Sequence, residues 1–314
     1  MVLLVQSTLQ RQNKMITLED GIYAGTATPS SGGGGGGGSS KKYGMTIDDV
    51  FGDVSGDKLQ FPTGGSFDLK MDNITGVAAG MTGFMAYKFY GNKNIHSASF
   101  ANLTNAGSNP SFTRAFQSSS LVSLSLPKLQ AIDGSAMCIG CASLTSVDFS
   151  GLLSIGYQGL DSAFQNCTAL TSISFPEVTT IGYGGISSIC SGCTALTSIS
   201  FPKLASVTGA NMAAFRQTGL VSVVFPVLSN IGYSQACHSW FHGCASLTSV
   251  SFPALTSTSF GNSTNQFNNM LYQCSGVTVH FPSNVQSVIG SWNDVTNGFG
   301  GTNTTVLFDL PATE

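Results

Sequence analysis

The sequence predicts a repeat solenoid: stacked coils sharing one parallel β-sheet, with irregular or short helical segments returning the chain to the next strand. Three observations predict it. The stretch Cys167 to Gly182, CTALTSISFPEVTTIG, recurs almost unchanged from Cys193 (CTALTSISFPKLASVT), Cys244 (CASLTSVSFPALTSTS) and Cys141 (CASLTSVDFSGLLSIG). Recurrence of this kind means one small unit stacked many times. With the leucine three residues after each cysteine as position 1, apolar residues fall at positions 1, 4, 6, 9 and 12, as in Leu170, Ile173, Phe175, Val178 and Ile181. Finally, proline follows position 6 in most copies (Pro127, Pro176, Pro202, Pro226, Pro253, Pro282). Lacking an N–H for the ladder, it ends a strand.

Each element of the coil follows from these positions. Positions 4 and 6 alternate with polar residues, so this stretch is a short strand with one buried face. The apolar 9 and 12 positions then carry the chain back across the core. The return segment has its own anchor six residues before the next position 1: Phe89, Cys138, Phe164, Cys190, Phe241 and Leu271, with Phe116 and Phe215 one residue later. Further starts are Leu144, Leu196, Leu220 and Leu247, then weaker ones at Leu121, Ile95 and Val277, and degenerate ones at Ser66 and Asn303. Starts lie 23 to 30 residues apart. One coil cannot bury its apolar side alone, whereas stacked coils bury a continuous core.

The pattern L-x-x-h-x-F-x-x-L-x-x-I-G, preceded by A-F-x-x-C, resembles the BspA-type leucine-rich repeat family over roughly residues 66 to 310. The resemblance implies a leucine-rich-repeat-like solenoid. The chain departs from the commoner leucine-rich consensus at position 9, where Leu152, Val178, Leu204, Leu228 and Leu255 stand in place of asparagine. That change alters the turn after the strand.

The flanks differ from the repeats. Residues 1–31 form an N-terminal anchor segment whose apolar run is too short for a signal sequence or a membrane span. Residues 32–40 are a polyglycine linker that behaves as a flexible tether. Residues 41–65 connect or cap, and their acids Asp48, Asp49, Asp53 and Asp57 lack the alternation and closing glutamate of a calcium loop. The solenoid occupies 66–302 in about nine coils, and 303–314 adds a capping strand with a polar outer face.

Composition narrows the chemistry. Only 9% of residues are charged and the net charge is −3, so no basic field exists for nucleic acid. Among the 8 cysteines, Cys138/Cys141 and Cys190/Cys193 are spaced C-x-x-C, but the repeat explains them as two buried columns of reduced, metal-free thiols. No P-loop, no triad and no paired acids are visible: Asp133, Asp148, Asp161 and Glu177 occupy different repeat positions. The expectation is no catalytic residue, no metal and no cofactor. His238, Trp240 and His242 alternate in CHSWFHGC and read as surface residues, with Phe241 as the core anchor.

Two columns are candidates for binding. Position 3 is serine in Ser97, Ser123, Ser146, Ser172, Ser198, Ser222 and Ser249, a line of hydroxyls pointing away from the core. Tyrosine follows Ile-Gly at Tyr157, Tyr183 and Tyr233, either as staples over the return segment or as a contact edge. With His238 and Trp240, these tyrosines are the candidate ligand-binding residues. The layout resembles bacteriophage fibre or appendage proteins. It implies a non-enzymatic virion structural protein whose N-terminal segment joins other virion proteins and whose repeats meet a host cell-surface glycan or protein, with homo-oligomers possible. The alternative is a BspA-like adhesin on a bacterial cell surface.

Overall fold

The computed structural model of the chain describes residues 14–17, 67–72, 74–76, 85–106, 111–132, 134–260, 265–289 and 298–312. The polyglycine linker, residues 41–65 and most of the N-terminal segment lie outside the described residues. Position 3–5 strands stack in parallel as β1 (Lys14–Thr17), β2 (Phe67–Lys70), β3 (Ile95–Ser99) and β4 (Ser123–Ser125). They continue as β6 (Ser146–Asp148), β8 (Ser172–Ser174), β10 (Ser198–Ser200), β12 (Ser222–Val224), β13 (Ser249–Ser251), β14 (Thr278–Pro282) and β15 (Thr305–Leu310). Between these lie four two-residue strands: β5 (Ala131–Ile132), β7 (Ser154–Ile155), β9 (Thr180–Ile181) and β11 (Ser206–Val207).

The register joins equivalent positions. Ser97 faces Ser123 and Ser123 faces Ser146, while Ala98, Leu124 and Val147 follow one another in the buried row. At the far end Val250 pairs with Val279 and Val279 with Val306. This corrects the start at Val277: position 4 is Val279 and position 6 is Phe281, one residue earlier than that start requires. Pro282 then follows position 6 as in the other coils. At the N-terminal edge Ile16 of β1 pairs with Leu69 of β2, so this short part of the N-terminal segment extends the sheet.

A second line of pairing joins the coils behind the sheet. The four two-residue strands form their own parallel ladder in the order β11-β9-β7-β5. A minor parallel ladder thus runs beside the main stack of parallel strands that the sequence pointed to. The return segments are a third line, and they are regular rather than irregular or helical. From Gln158 to Cys167, alternate residues donate outward: Gln158, Leu160, Ser162, Phe164 and Asn166 N–H groups bond the carbonyls of Tyr183, Gly185, Ser187, Ile189 and Ser191 in the next coil. The residues between them donate three back, as Ala163 does to Leu160 and Cys167 to Phe164. Every fourth residue is left-handed, with φ of 50° at Gln158, 55° at Ser162 and 60° at Asn166. Each such residue costs about 1–2 kcal/mol, and the inter-coil bonds that the turns align offset that cost. Described helix is confined to the C-terminal end, in a 3-10 turn at Ser283–Val285, α1 (Gln286–Ile289) and the residues near Gly298.

Phenylalanine fills the centre. Position-6 rings run Phe149, Phe175, Phe201, Phe225, Phe252 and Phe281, all buried and each stacked on the next. The Phe175–Phe201 centroids are 4.9 Å apart, while Phe149–Phe175 and Phe201–Phe225 open to 6.0 and 6.4 Å. Main-sheet pairing is interrupted at those two wider steps, between β6 and β8 and between β10 and β12. Val147 and Ile199, the inward residues beside the interruptions, are only partly buried. The second ladder continues past the first of them, linking β7 to β9, and a Ser206–Asn230 bridge carries it past the second.

Replacing either ring of the tightest stack tests this core. Phe175→Ala and Phe201→Ala should each lower unfolding stability by about 3–5 kcal/mol, because each leaves a cavity between coils. A denaturant titration giving a loss under about 1 kcal/mol for both would refute the column.

Candidate functional site

The Ile-Gly-Tyr step sits where the second ladder meets the return segment. Ile155, Ile181 and Ile231 turn inward and are buried. The glycine that follows lets neighbouring backbones approach: a Cβ on Gly182 would lie 3.2 Å from the Gly156 carbonyl carbon. The tyrosine then faces out. Tyr157, Tyr183 and Tyr233 are 62%, 47% and 45% exposed.

The rings form one row. Tyr157 and Tyr183 stack at 6.0 Å and 13°, and Tyr233 meets Tyr183 edge-on at 6.0 Å and 87°. Tyr183 and Tyr233 are two coils apart, and the residue between them is Gly209. A Cβ there would run into the backbone of Tyr183, so only glycine lets this coil pass beneath and leave the two rings in contact. Gly209 was not singled out by sequence reading, although aligning Ile-Gly-Tyr with Val207-Thr208-Gly209 exposes it. Gln158, beside Tyr157, and Ser234, beside Tyr233, are exposed, and Gln235 is half-buried.

The other candidates do not join this row. Trp240, expected at the surface, is fully buried. Its Nε1–H donates to the Asn211 carbonyl at 2.6 Å, and its ring packs against Phe215 and Phe225. Alternation is a strand rule, and this stretch is a chain of turns, so Trp240 and Phe241 both point to the core. His238 is half-buried, with its Nδ1 buried and unbonded among the described residues. Burial holds its imidazole below its usual range. His242 lies beside Tyr272 and bonds Gln273 through Nε2 at 3.0 Å.

All eight cysteines are free and buried; seven stand in the two expected columns and Cys237 lies outside both. They also bond. Cys141, Cys167, Cys193, Cys244 and Cys274 each donate Sγ–H to the anchor carbonyl of the preceding coil, those of Phe116, Cys138, Phe164, Phe215 and Phe241, at 2.9–3.1 Å. In two coils a hydroxyl lies against this column: Ser119 is 3.4 Å from the Cys141 sulfur and Thr218 3.2 Å from that of Cys244. Among the described residues, no group of three or more His, Cys, Asp or Glu side chains could hold a metal ion. Asp161 bonds the Ser162 hydroxyl at 2.9 Å, and burial raises its carboxyl above the usual range. Glu177 pairs with Lys203 at 2.6 Å.

Position 3 serines behave as expected on the outer face: Ser146, Ser172, Ser198 and Ser222 are exposed, and Ser97, Ser123 and Ser249 half-buried. Threonines beside them close gaps between coils, as where the Thr248 hydroxyl donates to the Val221 carbonyl at 2.9 Å.

Comparison with known proteins follows the same lines. The family described as BspA type leucine rich repeat region matches residues 84–191 and 161–292, in 6 copies. No curated protein matches the chain. Among solved structures, a leucine-rich repeat protein from Bacteroides ovatus is 15% identical, with 98% of this chain and 74% of that one covered and a TM-score of 0.48. A leucine rich cell surface protein from Faecalibacterium prausnitzii is 11% identical, with 94% and 90% covered and a TM-score of 0.22.

Burial of the thiols has a pH signature. It pushes the Cys274 thiol from 9.0 up to about 11 and raises Cys244, Cys138, Cys190 and Cys237 as well, whereas a bond from the Cys138 thiol lowers Cys141. A raised folded value means that the unfolded chain loses its thiol protons first. The thiol contribution is therefore intact below about pH 9 and declines as pH rises towards about 11. Urea midpoints should fall across that window, and a flat profile would contradict the burial.

Proposed function

The chain belongs to the BspA-type leucine-rich repeat family, and from that premise we propose that it is a non-enzymatic binding protein displayed on a bacterial cell surface. The observation that carries this reading is the division of the solenoid into a sealed aromatic core and an outer surface of hydroxyls, amides and tyrosines. Such a surface recognises partners through hydrogen bonds and ring contacts, and the stacked coils hold it in a fixed shape before any partner arrives. Preorganisation of this kind reduces the ordering cost of binding.

The cell-surface reading is preferred to the particle-borne one because the repeat body is the part that the family describes. The virion reading drew on the layout of residues 1–40 together with an uncharged repeat body, and of residues 1–40 only Lys14–Thr17 belongs to the described structure. No helix among the described residues is long and apolar enough to cross a membrane.

The reading is tested by location. Antibodies to the repeat body should label intact cells of the producing bacterium, and mild protease treatment of those cells should remove the signal. Labelling confined to purified phage particles would transfer the protein to the virion, and labelling only after lysis would end the surface reading.

A further inference from the structure

We infer that the row Tyr157–Tyr183–Tyr233 is a saccharide-binding edge, and that its ligand is an uncharged linear oligosaccharide lying along the solenoid axis. The inference rests on the surface-binding reading and adds to it the face used and the class of ligand.

The rings themselves come first. Scattered exposed aromatics are ordinary on a protein surface, but a contiguous exposed apolar strip marks an interaction site. Here three rings in a row remain exposed, with neighbouring centroids 6.0 Å apart. That interval is comparable to one pyranose unit of an extended chain, so successive sugars can meet successive rings. The apolar C–H faces of sugars pack on aromatic surfaces, and their hydroxyls need donors and acceptors beside the rings. Gln158 and Ser234 supply amide and hydroxyl groups there.

Size decides against a protein partner at this edge. Three roughly half-exposed tyrosines present on the order of 300 Å², whereas a stable protein interface needs about 800 Å² from each side. A narrow ligand chain needs no more than the strip offers.

Charge decides against an acidic glycan. No lysine or arginine occurs between Lys128 and Lys203, or after Arg216. Lys203 is already paired with Glu177. An anionic sugar at Tyr157 or Tyr183 would thus find no cation from the chain segments that carry these rings.

Gly209 ties the row to the backbone. Without it the coil between Tyr183 and Tyr233 would collide with the Tyr183 backbone and part the rings.

The experiment uses the full chain with named hexasaccharides: cellohexaose, xylohexaose, mannohexaose and chitohexaose as neutral probes, and hexagalacturonate as the anionic one. Calorimetry should detect binding of at least one neutral probe, and saturation-transfer spectra should show its C–H protons against tyrosine rings. Replacing all three tyrosines by alanine should weaken binding at least about tenfold, while Tyr→Phe at all three sites should change it by less than about threefold. The rings are exposed, so thermal unfolding should confirm that both variants remain folded. If the alanine variant does not fold, the saturation-transfer map on the unaltered protein decides alone. No binding by any neutral probe, binding only of hexagalacturonate, contacts away from the tyrosines, or unchanged affinity in the folded alanine variant would each overturn the inference. Those results leave the cell-surface reading to the labelling of intact cells, so the two can fail separately.

Discussion

A single coil of this chain has no core of its own, and everything else depends on that constraint. Its apolar positions form one side of a thin loop, and burial comes only from the coil above and the coil below. Equivalent residues must therefore be compatible with themselves, since each meets its counterpart one turn away. Leucine, isoleucine, valine and phenylalanine satisfy this condition by stacking, as the row from Phe149 to Phe281 does. Backbone groups satisfy it by pairing in parallel. Three lines of pairing share the task, so the coils stay joined through the return segments where the main sheet opens beside Val147 and Ile199.

Stacking of like on like also explains details that look accidental. Seven left-handed positions before the cysteine column are, in order, Ser118, Gly140, Asn166, Gly192, Gln217, Gly243 and Gln273. Polar side chains alternate with glycine. The reason is room: a Cβ on Gly192 would collide with the Asn166 amide. A similar economy applies to aromatic rings. The described tyrosines, Tyr87, Tyr90, Tyr157, Tyr183, Tyr233 and Tyr272, are all exposed, while phenylalanine fills the interior. A buried phenol would need a bonding partner in every coil, whereas a phenylalanine ring stacks on its counterpart with no polar group to satisfy. Tyrosine is thus left to the surface, where its ring is available to a ligand.

The thiol columns belong to the same logic. A cysteine at the turn is small enough for the crowded corner, and its thiol adds a second donor to an anchor carbonyl that already accepts a backbone N–H within its own coil. Zinc or disulfide chemistry is not needed to account for the repeated spacing. In two coils that lack the cysteine, Ser119 and Thr218 bring a hydroxyl to the same corner.

Much of this was legible in the sequence. Period-two alternation placed Ile173 and Phe175 inside and Ser172 and Ser174 outside, because successive side chains of a strand point to opposite faces. The five-position template named the buried rows, the anchors and the cysteine columns, because a repeat writes each contact many times. Other features were settled only by tertiary structure. The second ladder consists of two-residue strands, too short to leave a periodic signal. The return segments use left-handed backbone at Gln, Ser, Asn and Ala alike, so no residue type announces it, and bonds to the next coil impose it. Trp240 turned inward because its segment is built of turns rather than strand. The tyrosine row was named in the sequence one residue at a time, but its continuity was decided in space by Gly209, which matters only because a neighbouring coil lies against it.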